Sequence, residues 1–65
     1  MDEIKVGDKV TITYTSREFG DEVGDIATVE AIEDDGAIIL NDKFNTPTYG
    51  KGKMWSPLSW LEKEK

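Results

Sequence analysis

Six aromatic side chains and a dense run of carboxylates are the groups in this chain with recognition chemistry to offer. The aromatics are Tyr14, Phe19, Phe44, Tyr49, Trp55 and Trp60. Phe19, Phe44 and Tyr49 fall in polar, glycine-containing stretches, where binding residues concentrate and where an exposed ring can anchor an interface. The same rings could instead fold back as lids on a thin core. Trp55 and Trp60 read as core and rim, since a large ring with one polar atom suits both places. Trp60, at the rim, joins Phe19, Phe44 and Tyr49 as a candidate partner-binding residue.

The carboxylates are unevenly placed. Glu18, Asp21, Glu22, Asp25, Glu30, Glu33, Asp34, Asp35 and Asp42 follow one another with no lysine or arginine between them, and the formal net charge of the chain is -6. Such a surface keeps a small domain soluble and monomeric. It also attracts a basic partner, and Glu30, Glu33, Asp34 and Asp35 are the candidate docking acids. The same charge repels nucleic acid, whose binding draws on lysine and arginine displacing counterions. The alternative is the stretch Lys43-Phe44-Asn45-Thr46-Pro47-Thr48-Tyr49-Gly50-Lys51-Gly52-Lys53, which interleaves three lysines with two aromatics, a composition able to stack bases and neutralise phosphates.

Catalytic chemistry is thinly supplied. With no His and no Cys, the chain lacks the usual zinc ligands, the thiolate nucleophile and the general base that works near neutral pH. Ser16, Ser56 and Ser59 have no histidine to activate them. Asp34-Asp35 is a poor calcium site, because adjacent acids point to opposite faces of a strand and no loop of alternating oxygen ligands follows. The expectation is a binding protein: no enzyme, no catalytic residues, no cofactor and no metal. No apolar run approaches the roughly 18 residues that span a bilayer, and Met1-Asp2-Glu3 is acidic where a signal peptide is basic, so a cytoplasmic location without membrane contact is expected.

The elements that must position these groups read as strands. Lys9 to Thr15 alternates, with Val10, Ile12 and Tyr14 on one face. Ser16 to Asp25 is polar, holds Gly20 and Gly24, and reads as a loop. Ile26 to Glu33 is a second strand with Ala27, Val29 and Ala31 inward. Asp34-Asp35-Gly36 then predicts a tight hairpin turn, with Gly36 accepting a positive φ, into the strand Ala37 to Leu40. Asn41 to Gly52 reads as a second loop around Pro47. Lys53 to Trp55 makes a short strand, Ser56 caps a helical or 3₁₀ turn with Pro57 behind it, and Leu61 to Lys65 is a last strand or a frayed tail.

Residues 1–65 are expected to form one domain, and at this size a chain buries only roughly 60% of the surface it exposes unfolded. Val6-Gly7-Asp8-Lys9-Val10-Thr11-Ile12 and Gly24-Asp25-Ile26-Ala27-Thr28-Val29-Glu30-Ala31-Ile32 resemble the opening of small Src-homology-3-like barrels of bacterial and phage proteins, the KOW and Tudor-like types included. Ser56-Pro57-Leu58-Ser59-Trp60-Leu61-Glu62 is similar to the turn that leads such barrels into their final strand. The resemblance implies an all-β, five-stranded, partly open barrel with one short 3₁₀ turn near the C-terminus, and a binding role. The expected core is Val10, Ile12, Ala27, Val29, Ile38, Leu40, Trp55 and Leu61. The leading function is a protein-interaction or inhibitory module, monomeric or weakly dimeric; the alternative is a nucleic-acid module acting through residues 43–53.

Overall fold

The computed structural model describes residues 3–15, 17 and 19–64. Five strands lie in one antiparallel sheet of order β4-β3-β2-β1-β5: β1 (Lys9–Ile12), β2 (Ile26–Glu33), β3 (Gly36–Thr46), β4 (Gly50–Pro57) and β5 (Leu61–Lys63). A single 3₁₀ turn, Leu58–Trp60, separates β4 from β5. The architecture is the expected all-β, five-stranded one, and the sheet does not close into a barrel.

The small and β-branched apolar residues of β1 and of β2 up to Val29 do what their alternation predicts. Val10 and Ile12 of β1 and Ala27 and Val29 of β2 are all essentially inaccessible to solvent. Tyr14, expected on the same face as Val10 and Ile12, lies beyond β1, which ends at Ile12, and is exposed. Leu61 closes the other side of β1 by pairing with Ile12.

The faces of β2, β3 and β4 differ from expectation by one residue. A bulge between Val29 and Ala31 sets two β2 residues against one of β3, so that Val29 faces Ile39 whereas Ala31 faces Ile38. Beyond the bulge the parity of β2 is inverted. Ile32 now stands opposite the buried Ala37 yet stays 39% exposed at the end of the strand, and Ala31 pairs with Ile38 on the outer face. The core cluster therefore takes Ala37, Ile39, Phe44 and Met54, not Leu40 and Trp55. Ile38 is buried, as expected, but on the opposite face, against Trp55 of β4.

The stretch 41–52 is for the most part strand. β3 runs to Thr46 and β4 begins at Gly50, leaving Pro47 in the hairpin turn where its missing donor costs no ladder bond. The register slips between Leu40 and Asn45, and the extra residues of β3 deliver the Phe44 ring into the core, where it is fully buried. Ser56 is buried on β4 and makes no capping bond to the 3₁₀ turn, whose N-cap is Pro57. Backbone hydrogen bonds tie the turn down at both ends: Leu58 N donates to Asp35 O at 2.8 Å, and Trp60 O accepts from Thr13 N at 2.8 Å.

Candidate functional site

The outer face of β2, β3 and β4 places Glu33 beside an indole, with Asp34 and Asp35 at the adjoining turn and Glu30 bound to Lys53 on the same sheet. Directly opposed residues put Ala31, Ile38 and Trp55 in one row across the three strands, and Glu33, Gly36 and Pro57 in the next. Gly36 has no side chain, and the Trp55 ring lies over it: a Cβ at residue 36 would collide with the Cε2, Cζ2 and Nε1 atoms of the indole. The ring covers bare backbone with one face and remains 37% exposed, so its other surface is open to solvent. Ile38, beside it, is 5% exposed.

Glu33 stands opposite Gly36 and so beside the indole, and Asp34-Asp35 form the two-residue turn between them. Asp34, not Gly36, carries the positive φ, at 51°, a conformation that aspartate tolerates better than most residues. Glu33, Asp34 and Asp35 are exposed, and none enters an ion pair among the described residues. Glu30, at the bulge, is bound by Lys53 Nζ at 3.0 Å across the same outer face. The arrangement is an aromatic plate edged by the exposed carboxylates of Glu33, Asp34 and Asp35. A lysine or arginine approaching it meets a ring face and opposite charge together.

Trp60 lies elsewhere. It makes an edge-to-face pair with Tyr14, ring centroids 4.8 Å apart, at the end of β1 where Thr13 N and Oγ1 both donate to Trp60 O. Tyr14 is 58% exposed, which leaves much of this second aromatic surface accessible.

The loop between β1 and β2 is clamped on the irregular stretch of β3. Asn45 N donates to Phe19 O at 3.0 Å, and Phe19 packs against the core as a lid. Gly20 passes so close to β3 that a Cβ would lie 2.5 Å from Lys43 O, with φ at +85°, so only glycine fits. Lys43 Nζ then bonds Asp25 at 3.0 Å and Glu22 at 3.2 Å, and these hydrogen bonds, Asp25's first, raise its pKa above the ordinary lysine value. At the opposite end of the sheet, the backbone N–H of Lys5 donates to Asp8 at 2.8 Å and holds its carboxyl below the ordinary value, with Lys63 adding to the effect.

These contacts take several residues out of contention. Phe44 is in the core and offers no ring to a ligand, and Phe19 is a partly buried lid. Of the three lysines in the 43–53 stretch, Lys43 is bound by Glu22 and Asp25 and Lys53 by Glu30, which leaves Lys51 and the 38% exposed Tyr49. Two groups at one hairpin provide little for stacking bases or neutralising phosphates. Among the described residues no three His, Cys, Asp or Glu converge as metal ligands, and no helix is long and apolar enough to cross a membrane.

Trp55 is the site residue that sequence reasoning placed in the core. The signal for its true position was Gly36: a glycine inside a strand leaves a gap that an aromatic on the neighbouring strand can cover. No family model, no curated protein and no solved structure matches this chain.

Proposed function

We propose that this chain is a small protein-binding module that docks on a basic protein surface through the outer face of β2, β3 and β4. One observation carries the reading: the solvent-facing indole of Trp55, laid over Gly36, has Glu33 beside it and the exposed Asp34 and Asp35 at the adjoining turn. Exposed tryptophans are preferred anchors of interfaces, and carboxylates at the rim steer a cationic partner and enforce its orientation. The strand order and the 3₁₀ turn before β5 are in keeping with the Src-homology-3-like barrels that the sequence resembles. In this reading the Tyr14 and Trp60 pair is a second contact area and not the docking centre.

A tagged pull-down from bacterial lysate, divided into nuclease-treated and untreated halves and washed at low and high salt, tests the proposal. The expected result is a protein retained after nuclease and released by salt. The variant with Glu33→Gln, Asp34→Asn and Asp35→Asn together should lose it while staying folded. Retention that is indifferent to salt and to these substitutions, or that vanishes on nuclease treatment, overturns the reading. Loss on nuclease treatment would transfer the function to Lys51, Tyr49 and nucleic acid.

A further inference from the structure

The hydrogen bonds of Val29 fix which backbone groups of β4 face outward. Val29 N donates to Asp8 O at 2.9 Å and Val29 O accepts from Gly7 N at 2.8 Å, so both groups point away from β3. In an antiparallel ladder the N–H and C=O of one residue point the same way, and the direction alternates along the strand. Ile39, opposite Val29, therefore turns its groups towards β4, where Met54 is its partner. One residue to either side of Met54, Lys53 and Trp55 turn theirs away from β3, beyond the last strand of the sheet.

Neither the N–H nor the carbonyl of Trp55 has a backbone partner among the described residues. The same holds for Lys53, whose carbonyl takes only a long contact from Thr46 Oγ1 at 3.4 Å. Pro57, two residues on, faces out by the same alternation, the edge placement in which a missing N–H costs no ladder bond. The other edge strand, β5, has three residues, and so short an edge is a poor template. β4 has eight, enough for a further strand to pair along it.

We propose that β4 pairs with β4 of a second copy of this chain, antiparallel about Met54. This register sets Lys53 of each copy opposite Trp55 of the other, so each outward N–H of those residues meets an outward carbonyl. Lysines on an edge strand ordinarily discourage pairing, but here they oppose tryptophan and not one another. Directly opposed side chains share a face, so the lysine stem of one copy crosses towards the exposed indole of the other and carries its ammonium to a ring that Glu33 borders on the far side. The ion pair of Lys53 with Glu30 that each copy gives up is partly exposed and contributes little. A formal charge of -6 on each copy opposes association, so the dimer forms at high protein concentration. A second copy and a basic partner would compete for the indole, yet the pairing does not depend on the docking reading.

The test is sedimentation and NMR amide hydrogen exchange on the intact chain at low micromolar and at millimolar concentration. The mass should double in the concentrated sample. Met54 and Ser56 should be protected in both samples, whereas Lys53 and Trp55 should exchange freely when dilute and at least about tenfold more slowly when concentrated. In a sample mixing labelled and unlabelled chains, the Trp55 ring of one copy should show contacts to the Lys53 side chain of the other. Lys53→Glu should stay folded and monomeric, because it sets a carboxylate against an indole bordered by Glu33; the exchange pattern of the parent decides the matter if that variant does not fold. A chain that stays monomeric at millimolar concentration overturns the pairing. So does a dimer in which Lys53 and Trp55 exchange as fast as in the monomer, which would place the contact on another surface. A monomer that still retains a basic protein would overturn the pairing alone and leave the docking face standing.

Discussion

Trp55 and Gly36 form one structural unit: the ring of the first occupies the volume that a side chain on the second would need. The glycine is placed there for contact and not for backbone freedom, since the positive φ of the hairpin turn belongs to Asp34. Without the indole, Gly36 would be a stretch of bare strand backbone; without the glycine, the indole would stand off the sheet. Gly36→Ala is therefore expected to destabilise the fold by about 1–3 kcal/mol, the usual penalty of overpacking. Denaturant titration followed by tryptophan fluorescence measures the loss, and an emission shift of the native state would report the displaced ring. A variant as stable as the parent, with unchanged emission, would contradict the contact.

Phe44 is the largest fully buried side chain among the described residues, and it lies within the register slip of β3. Phe44→Ala should cost about 3–5 kcal/mol, the range for emptying a buried aromatic site. For a domain of this size that approaches the whole stability, so loss of dispersed amide signals in NMR is the expected readout. Phe44→Leu should remain folded with a lowered denaturation midpoint. A folded Phe44→Ala protein of near-parental stability would place the ring on the surface.

Lys43 joins the loop to β3 through the exposed Glu22 and the largely covered Asp25, and because the ammonium itself is solvated its ion pairs are screened and contribute little to global stability. Their effect is local. Lys43→Gln should leave the denaturation midpoint nearly unchanged while amide hydrogen exchange accelerates at Phe19 to Asp25. Because the folded state raises the Lys43 pKa above 10.5, the contribution is complete below that pH and fades as pH rises through the folded value. Loop protection in the parent should therefore fall in strongly alkaline solution, and Lys43→Gln should lack that dependence.

Asp8 has the opposite sign. Its carboxyl is held below the ordinary value of 3.8, chiefly by the Lys5 backbone N–H. The stabilisation is present above pH 3.8 and is lost as pH falls through the lower, folded value. Asp8→Asn should flatten the acid side of a stability-against-pH curve measured by thermal unfolding between pH 2 and pH 5. A parent curve that does not decline there, or a variant curve that declines just as much, would show that this bond carries no linkage.

Much of the sheet was legible because its first two strands obey a simple period. Val10, Ile12, Ala27 and Val29 alternate with polar residues, and a half-buried strand has no other way to hide them. The Asp34-Asp35-Gly36 turn was equally legible, although its positive φ fell on Asp34, an alternative that aspartate's own tolerance of that region allows. The acids of the candidate surface were visible as charge, since charge is a property of composition.

The apolar strand β3 was ambiguous for a physical reason. Ala37-Ile38-Ile39-Leu40 is hydrophobic on both faces, so no period distinguishes one register from the next, and a slip of one residue exchanges core and surface. What decided it was tertiary: the bulge at Glu30, which inverts β2 beyond Val29, and the slip before Asn45, which buries Phe44. The sequence by itself determined the strand class, the hairpin and the acidic charge, because these follow from local conformational preference and composition. Only the tertiary structure decided that Trp55 faces outward over Gly36, that β4 lies at the edge of the sheet, and that Lys43 is already engaged, because each depends on pairings between residues distant along the chain.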